Sequence, residues 1–174
     1  EALLRLPEQI EQILENEELF KPVAERFSKA SSIFFIGRGL DYSISLEGSL
    51  KLKEISYIKS EAYAAGELKH GTISLIEPGT PVFAVATQPD LFEKTLGNIR
   101  EVKSRGAYVA ALVGEDCENA GEFSDGAVKV PRPLPEYMPS LNVVPLQLIA
   151  YFTAVERGCD VDKPRNLAKS VTVE

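Results

Sequence analysis

The chain has 174 residues, of which 44% are apolar and 26% are charged, and its formal net charge is −7. This length and composition suit one globular domain that buries its own apolar core, which excludes an intrinsically disordered chain. The acidic balance disfavours nucleic acid and anionic membranes as partners, and no apolar run approaches the roughly 20 residues of a membrane span.

The first part of the chain passes from helical to extended patterns. Residues 1–18 are acidic and helical in spacing, with Pro7 expected in the first helical turn. Residues 20–27 predict a second amphipathic helix. The continuous apolar run 33–36 predicts a strand buried on both faces, and a long helical pattern follows over residues 42–58.

The same alternation continues through the second half. Residues 82–86, 107–113 and 127–130 predict strands, whereas residues 91–105 and 141–155 predict helices. Strands separated by helices form βαβ units with a parallel sheet. The pattern therefore predicts an α/β fold, an open three-layer αβα sandwich.

The first candidate site follows the first predicted strand. The motif Gly37-Arg38-Gly39 lies where parallel sheets bind ligands, beyond the carboxyl end of the strand, as do Thr87 and the loop after Val113. Glycines allow a close ligand, and the following helix N-terminus attracts anions. The third glycine of a dinucleotide fingerprint is missing, so a plain strand-to-helix turn explains the motif equally well.

The second candidate is a charged row on the helix that follows. Glu47, Lys51 and Glu54 are spaced four and three residues apart, so they share one helix face. Spacing alone favours a surface salt-bridge ladder. The helix begins at the ligand end of the strand, however, and a carboxylate beside a lysine can move protons between adjacent carbons.

Histidine and cysteine are scarce. His70, between Lys69 and Gly71, is the single histidine, and by itself it suits a cap or a hydrogen-bonded loop residue as well as an acid–base group near neutrality. Cys117 and Cys159 form no CxxC pair, so we expect reduced thiols in a cytoplasmic protein and no metal site. No cofactor is indicated.

The segment 158–174 is polar and irregular, which suits a frayed terminus. A mobile tail that carries Lys169 could instead act as a lid, since a desolvated lysine can form a Schiff base with a ketone. We divide the chain into an N-terminal helical segment 1–28, an α/β domain 29–157 and this tail, for which the resemblance described below implies a contribution to the active site. Because the chain begins at Glu1 rather than Met, we expect a piece of a longer protein.

Three segments together resemble a known family. They are EGSLKLKEISY at 47–57, EAYAAGELKHG at 61–71 and DKPRNLAKSVTVE at 162–174. They are similar to the C-terminal half of the glutamine–fructose-6-phosphate aminotransferase (isomerizing) family, the glucosamine-6-phosphate synthases. The resemblance implies a SIS (sugar isomerase) subdomain, the second of two in tandem, with a flavodoxin-like parallel sheet of about five strands.

The resemblance also implies residue roles. Glu54 matches the acid–base group that moves a proton between C1 and C2 of the sugar, and Lys51 matches a lysine implicated in proton removal at C2. His70 matches the histidine that opens the sugar ring, in the active site of the neighbouring subunit. Lys169 matches the lysine proposed to form a Schiff base with the open-chain ketose. Substrate-binding or supporting roles fall to Glu47, Ala168, Arg38 and Arg165.

The partners that the resemblance implies are a sugar phosphate, the first SIS subdomain, the glutaminase domain and a second copy in a homodimer. The family's Ser/Thr-rich phosphate loops belong to the first SIS subdomain, and here the corresponding segment is GRGLDY at 37–42. We therefore expect this chain alone to be catalytically incompetent, because substrate positioning is worth several kcal/mol of the barrier.

Two other functions remain open at this point. One is a stand-alone SIS isomerase or deglycase that acts on another amino-sugar phosphate with Glu54 and His70. The other is a non-catalytic module that senses sugar phosphates, for which Lys51, Glu54, His70 and Lys169 would not be needed.

Overall fold

The computed structural model describes residues 1–166 and forms a five-stranded parallel sheet between two layers of helices. The strands are β1 (Ser32–Gly37), β2 (Lys59–Ala64), β3 (Pro81–Ala86), β4 (Tyr108–Gly114) and β5 (Gly126–Val130). Their order across the sheet is β2-β1-β3-β4-β5, and every neighbouring pair is parallel. The predicted three-layer α/β architecture is confirmed.

Within residues 1–166, six α-helices connect and cover the strands. They are α1 (Ala2–Glu15), α2 (Lys21–Ser28), α3 (Leu40–Ser56), α4 (Pro89–Lys103), α5 (Ala120–Phe123) and α6 (Met138–Glu156). The alternation of side chains along β1 divides the core, because Phe35 packs into one apolar cluster and Ile36 into the other. Helices α1, α2, α3 and α6 cover the first cluster, and α4 and α5 cover the second.

Strand β2 is absent from the predicted elements. Its sequence, KSEAYA, has charged residues and no apolar run, and only Ser60 along it is fully buried. The reason is its place at the edge of the sheet, where only β1 pairs with it. An edge strand can remain polar because one side faces solvent.

The N-terminal helix also differs from its prediction. Pro7 lies inside α1 rather than in its first turn, because the helix already begins at Ala2. Leu6 and Ile13 of α1 and Phe27 of α2 belong to the same apolar cluster as the sheet. The two N-terminal helices therefore pack on the α/β core.

Helix α6 is strongly apolar. The segment Pro135–Glu156 contains an apolar stretch of 18 residues that could cross a membrane by length and composition alone, but 56% of that 18-residue stretch is buried inside the described fold. Its apolar residues, among them Leu141 and Leu146, pack between α2 and α3. A helix that is apolar on most sides is typical of a protein core.

The direction of α3 determines where its side chains lie. The helix starts just after the carboxyl end of β1, and two residues separate its end from the amino end of β2, to which β1 is parallel. Residues at the start of α3 therefore lie at the carboxyl edge of the sheet, and residues at its end lie at the amino edge. The 3₁₀ turn Ala65–His70 follows β2 at the carboxyl edge.

Candidate active site

Three charged side chains of α3 form a row along one face of the helix. Lys51 Nζ lies 2.7 Å from Glu54 Oε2 and 3.6 Å from Glu47 Oε1. The exposed fraction of the side chain is 33% for Lys51, 25% for Glu54 and 43% for Glu47. The three groups share a face, as their spacing predicts, and they remain open to a substrate or to a partner surface.

The pairing determines the charge of Lys51. Its hydrogen bond to Glu54 raises the pKa of the ammonium above its ordinary value, and the negative charges of Glu54 and Glu47 raise it further. Desolvation by burial acts in the opposite direction and lowers this pKa. Lys51 therefore stays protonated at neutral pH. Since an ammonium group only donates and a carboxylate only accepts, the row combines a fixed donor with two proton acceptors.

The row does not lie at the carboxyl edge, where the sequence analysis directed attention. Glu54 is about 20 Å along the helix axis from Leu40, at a rise of 1.5 Å per residue. This length carries Lys51 and Glu54 toward the amino edge of the sheet, although α3 itself begins at the carboxyl edge.

His70 ends the 3₁₀ turn after β2, at the opposite edge from Glu54. Its Nδ1 lies 2.7 Å from Glu67 Oε2, and both side chains are mostly exposed. Because the carboxylate can only accept, a neutral imidazole carries its proton on Nδ1 and leaves Nε2 free as the acceptor. Glu67 was not among the predicted site residues, although its three-residue spacing from His70 is the signal that would have indicated it.

Two contacts hold the turn that carries His70 against α4. Lys69 Nζ lies 2.7 Å from Glu101 Oε1. Arg38 donates from Nε to Asn98 Oδ1 at 3.0 Å, and its guanidinium group lies so close to Gly66 that a Cβ there would be 3.0 Å from Nη2. Arg38 therefore supports the His70 turn from the loop after β1.

The crevice beyond β1 is filled by the chain itself. A Cβ on Gly37 would lie 2.6 Å from the backbone of Asp41, so the tight turn into α3 requires glycine. Gly39 has a φ of +54°, and a Cβ on it would meet Leu91 at 2.9 Å and the Gln88 side chain at 3.1 Å. The geometry therefore favours a strand-to-helix turn over a ligand-binding loop at this position.

The buried carboxylate of Asp41 is the polar group that the sequence analysis missed. It accepts the backbone N–H of Thr87 at 2.8 Å, the Thr87 hydroxyl at 2.6 Å and the N–H of Gln88 at 3.2 Å. Asn142 of α6 donates to the same hydroxyl oxygen at 2.7 Å. Burial raises the pKa of Asp41 above its ordinary value, and these hydrogen bonds limit the rise.

The beginning of the tail lies on the end of α3. The backbone N–H of Arg165 donates to the Tyr57 hydroxyl at 2.9 Å, and the guanidinium carbon lies 4.1 Å from the centre of the Tyr57 ring. Tyr57 is the residue that caps α3, three positions after Glu54. Ala168 and Lys169, which the sequence analysis assigned to the site, lie outside the described residues.

A cleft in the described part of the chain is separate from these groups. It has a volume of about 550 Å³ and lies at the amino ends of β1 and β3, between Arg26, Lys59 and Gly79. Of the predicted site residues that the structure describes, none lines this cleft. The candidate site is therefore an open helix face rather than a closed pocket of this chain.

Comparisons with known proteins agree with this architecture. Residues 26–157 match the SIS domain family. The chain is 56% identical over 172 residues to glutamine–fructose-6-phosphate aminotransferase (isomerizing) of Caldanaerobacter subterraneus, with 99% of the chain covered. It spans only 28% of the length of that curated relative.

Two solved structures share the fold at lower identity. The C-terminal domain of glucosamine-fructose-6-phosphate aminotransferase from Francisella tularensis has a TM-score of 0.87 and 36% identity, over 92% of this chain and 45% of that one. Glucosamine-6-phosphate deaminase from Thermotoga maritima has a TM-score of 0.70 and 29% identity, over 98% and 48%. With the family match covering most of its length, the chain belongs to the SIS domain family.

Proposed function

We propose that this chain is the second SIS subdomain of a glucosamine-6-phosphate synthase. It takes part in converting fructose 6-phosphate and glutamine-derived ammonia to glucosamine 6-phosphate. The observation that carries the proposal is the Lys51–Glu54 pair at 2.7 Å on α3, in a chain that is 56% identical to an enzyme of that name.

Glu54 serves as the acid–base group of the isomerisation. In the ketose imine, one proton leaves C1 and one arrives at C2, while the hydroxyl proton of C1 moves to nitrogen. A carboxylate can carry out both carbon transfers in turn. Because Lys51 is protonated, we assign it a role other than the proton removal at C2 that the resemblance implies: it stabilises the negative charge that develops on the C1 oxygen. Glu47 supports Lys51 from the preceding turn.

His70 opens the sugar ring in the site of a second subunit. Within one chain, His70 follows the carboxyl end of β2 while Glu54 lies near its amino end, a separation of about five residues of strand or roughly 17 Å. Its exposed position supports a role toward another subunit rather than toward Glu54 of its own chain. The enzyme is accordingly a homodimer.

Lys169 supplies the covalent step. Its ε-amine condenses with the C2 carbonyl of the open-chain ketose and water leaves; ammonia then adds at C2 and the lysine amine departs. The glutaminase domain of the longer protein provides the ammonia. Arg165 and Ala168 are part of the tail that carries Lys169, and Arg38 supports the turn of His70.

The phosphate of the substrate is bound by the first SIS subdomain. In this chain the side chains of Gln88 and Leu91 lie against Gly39, and Asp41 accepts the N–H groups of Thr87 and Gln88, which are then not available to a phosphate. This chain alone is therefore inactive. No cofactor takes part, and the complete enzyme is cytoplasmic.

The test uses a chimera in which this chain replaces the matching segment of the Caldanaerobacter subterraneus enzyme. Glu54→Gln should reduce glucosamine 6-phosphate formation by about 10²–10⁴-fold and leave the affinity for fructose 6-phosphate unchanged. Glu118→Gln, an exposed residue in the loop after β4, is the matched control. An unchanged rate for Glu54→Gln would remove this carboxylate from the mechanism.

A second candidate function is amino-sugar phosphate deamination. The likeness to a structure named glucosamine-6-phosphate deaminase favours it, at 29% identity. The two functions differ in the need for glutamine. Deamination is the activity if the chimera releases ammonia from glucosamine 6-phosphate without glutamine and forms no glucosamine 6-phosphate from fructose 6-phosphate and glutamine.

A further inference from the structure

A continuous chain of polar contacts joins the turn that carries His70 to helix α4. Arg38 donates from Nε to Asn98 Oδ1 at 3.0 Å, and Asn98 donates from Nδ2 to Glu101 Oε2 at 3.3 Å. The other carboxylate oxygen of Glu101 lies 2.7 Å from Lys69 Nζ. The contacts therefore run from the loop after β1, across α4, to the residue that precedes His70.

The same chain of contacts meets the turn at a second point. The guanidinium group of Arg38 lies against Gly66, where an added Cβ would be 3.0 Å from Nη2. Gly66 is the second residue of the 3₁₀ turn Ala65–His70, and Lys69 is its last but one. The turn is thus contacted near both of its ends, and Asn98 joins the two contacts.

Asn98 lies where a polar side chain is costly. It is in the interior of α4 and only 6% exposed. Asparagine is a weaker helix former than the straight-chain residues, and a buried amide without hydrogen-bond partners would destabilise the fold. Both polar atoms of this amide are bonded, one to Arg38 and the other to Glu101. The two groups that Asn98 joins therefore explain its presence at this position.

Glu101 is ionised in this network. Burial by itself would raise the pKa of its carboxyl group, but the hydrogen bonds from Lys69 and Asn98 outweigh burial and hold the pKa below its ordinary value. The positive charges of Lys69 and Arg105 act in the same direction as these hydrogen bonds. The contact between Glu101 and Lys69 is therefore an ion pair at neutral pH.

The turn depends on contacts with the rest of the fold, because the hydrogen-bond geometry of a 3₁₀ helix is poorer than that of an α-helix. Ala65 and Leu68 are fully buried and fix the inner side of the turn in an apolar cluster. The outer side carries Lys69 and His70, which are exposed. The ion pair of Lys69 with Glu101 restrains this outer side, from which His70 projects.

We infer that Asn98 and Glu101 are positioning residues that fix the turn of His70, so that its imidazole meets the sugar ring in the site of the second subunit. Together with Arg38 and Lys69 they form the His70 clamp. The inference rests on the proposed function for the role of His70, whereas the clamp itself is a property of this chain. Its value for catalysis is geometric, because a displacement of about 1 Å can cost about a hundredfold in rate.

Limited trypsin digestion of the whole chain tests the clamp without any assay of activity. Asn98→Ala removes the central amide but leaves Lys69 itself in place, and cleavage after Lys69 should become about tenfold faster, because proteolysis follows the population of the open form. Glu101→Ala should give a similar increase, and Glu101→Gln, which retains an acceptor oxygen, a smaller one. Glu93→Ala, an exposed glutamate of the same helix, is the control and should not change this cleavage.

Cleavage after Lys29 is the internal reference for this digestion. Lys29 is exposed and precedes β1, at the opposite edge of the sheet from the turn of His70. A local clamp predicts that the variants leave cleavage after Lys29 unchanged. An unchanged rate after Lys69 in both alanine variants would overturn the clamp. Equal acceleration after Lys69 and Lys29 would overturn it as well, because the variants would then open the whole fold.

Kinetics in the chimera test the positioning. For Glu101→Ala we expect kcat/KM for fructose 6-phosphate to fall about tenfold, and Glu101→Gln should recover much of the loss. In a His70→Ala background, Glu101→Ala should have no further effect. An unchanged kcat/KM in the single variant, or an equal loss in both backgrounds, would overturn the positioning role. If the wild-type chimera is inactive while digestion behaves as expected, the clamp stands, and the proposed function fails together with the role of the clamp in it.

Discussion

The carboxylate of Asp41 accepts both the backbone N–H and the hydroxyl of Thr87, at 2.8 and 2.6 Å. Asp41 lies in the first turn of α3 and Thr87 directly follows β3. The contact therefore joins two crossovers at the point where the strand order reverses. It also takes up backbone donors at the start of α4 that would otherwise be free to bind an anion.

Replacing Asp41 should be costly for stability. Asp41→Ala leaves the N–H groups of Thr87 and Gln88 buried without an acceptor, so we expect the free energy of unfolding to fall by about 3 kcal/mol. Urea denaturation measures the change, with Asp90→Ala, an exposed aspartate in the first turn of α4, as the control. A loss no greater than that of the control would mean that water replaces the carboxylate.

The pH dependence of stability follows from the raised pKa of Asp41. Between the ordinary pKa of an aspartate and the higher value in the folded state, the folded chain binds more protons than the unfolded chain. Stability contributed by this group is therefore present at low pH and lost as pH rises through that window. Asp41→Asn removes the titrating group, so the unfolding free energy of wild type minus that of the variant should decrease as pH rises above about 4. An increase would contradict the direction of the shift.

The central strands could be predicted from the sequence because of where they lie. β1, β3 and β4 are buried on both faces, and such strands are continuous apolar runs such as residues 33–36. β2 could not be predicted in this way, because an edge strand needs no apolar pattern. The opposite edge strand, β5, could be predicted because its buried residues Val128 and Val130 alternate with exposed ones, a pattern that β2 lacks.

In the candidate site, contacts between residues close in the sequence could be predicted, whereas contacts between distant residues could not. The row of Glu47, Lys51 and Glu54 could be predicted because helical spacing places these residues on one face. Asp41–Thr87 and Tyr57–Arg165 join residues 46 and 108 positions apart, and no periodic pattern connects them. The place of the row toward the amino edge was also beyond prediction, since it depends on the length of α3 relative to the strands.

The pair of Glu67 and His70 can be tested by a double-mutant cycle in the chimera. The carboxylate orients the imidazole so that Nε2 faces outward, and we expect Glu67→Ala to lower kcat/KM by about three- to tenfold. In a His70→Ala background the same change should have no further effect. Glu122→Ala, an exposed glutamate of α5, is the control. Equal losses in both backgrounds would show that Glu67 acts independently of His70. Thermal stability should not change, because both side chains are largely exposed.

The packing of α3 on α6 gives a prediction with a matched control inside the chain. A Cβ on Gly48 would lie 2.9 Å from Leu146 Cδ2 and 3.2 Å from its Cβ, whereas a Cβ on Gly97, in α4, meets nothing within 4 Å. Alanine is favoured over glycine in a helix by about 1 kcal/mol, so Gly97→Ala should stabilise the chain by about 0.5–1 kcal/mol.

Gly48→Ala gains the same helix propensity but forces Leu146 or α3 to move. We expect a net loss of about 1–3 kcal/mol in urea denaturation. Leu146→Ala alone should also destabilise, through the cavity it leaves, but the two changes together should cost less than their sum, because the new methyl group occupies part of that cavity. If the losses in unfolding free energy of the two single variants simply add in the double variant, α3 shifts as a whole to make room for the methyl group. That shift would also move Glu47, the neighbour of Gly48, and would be visible as a lower kcat in the chimera.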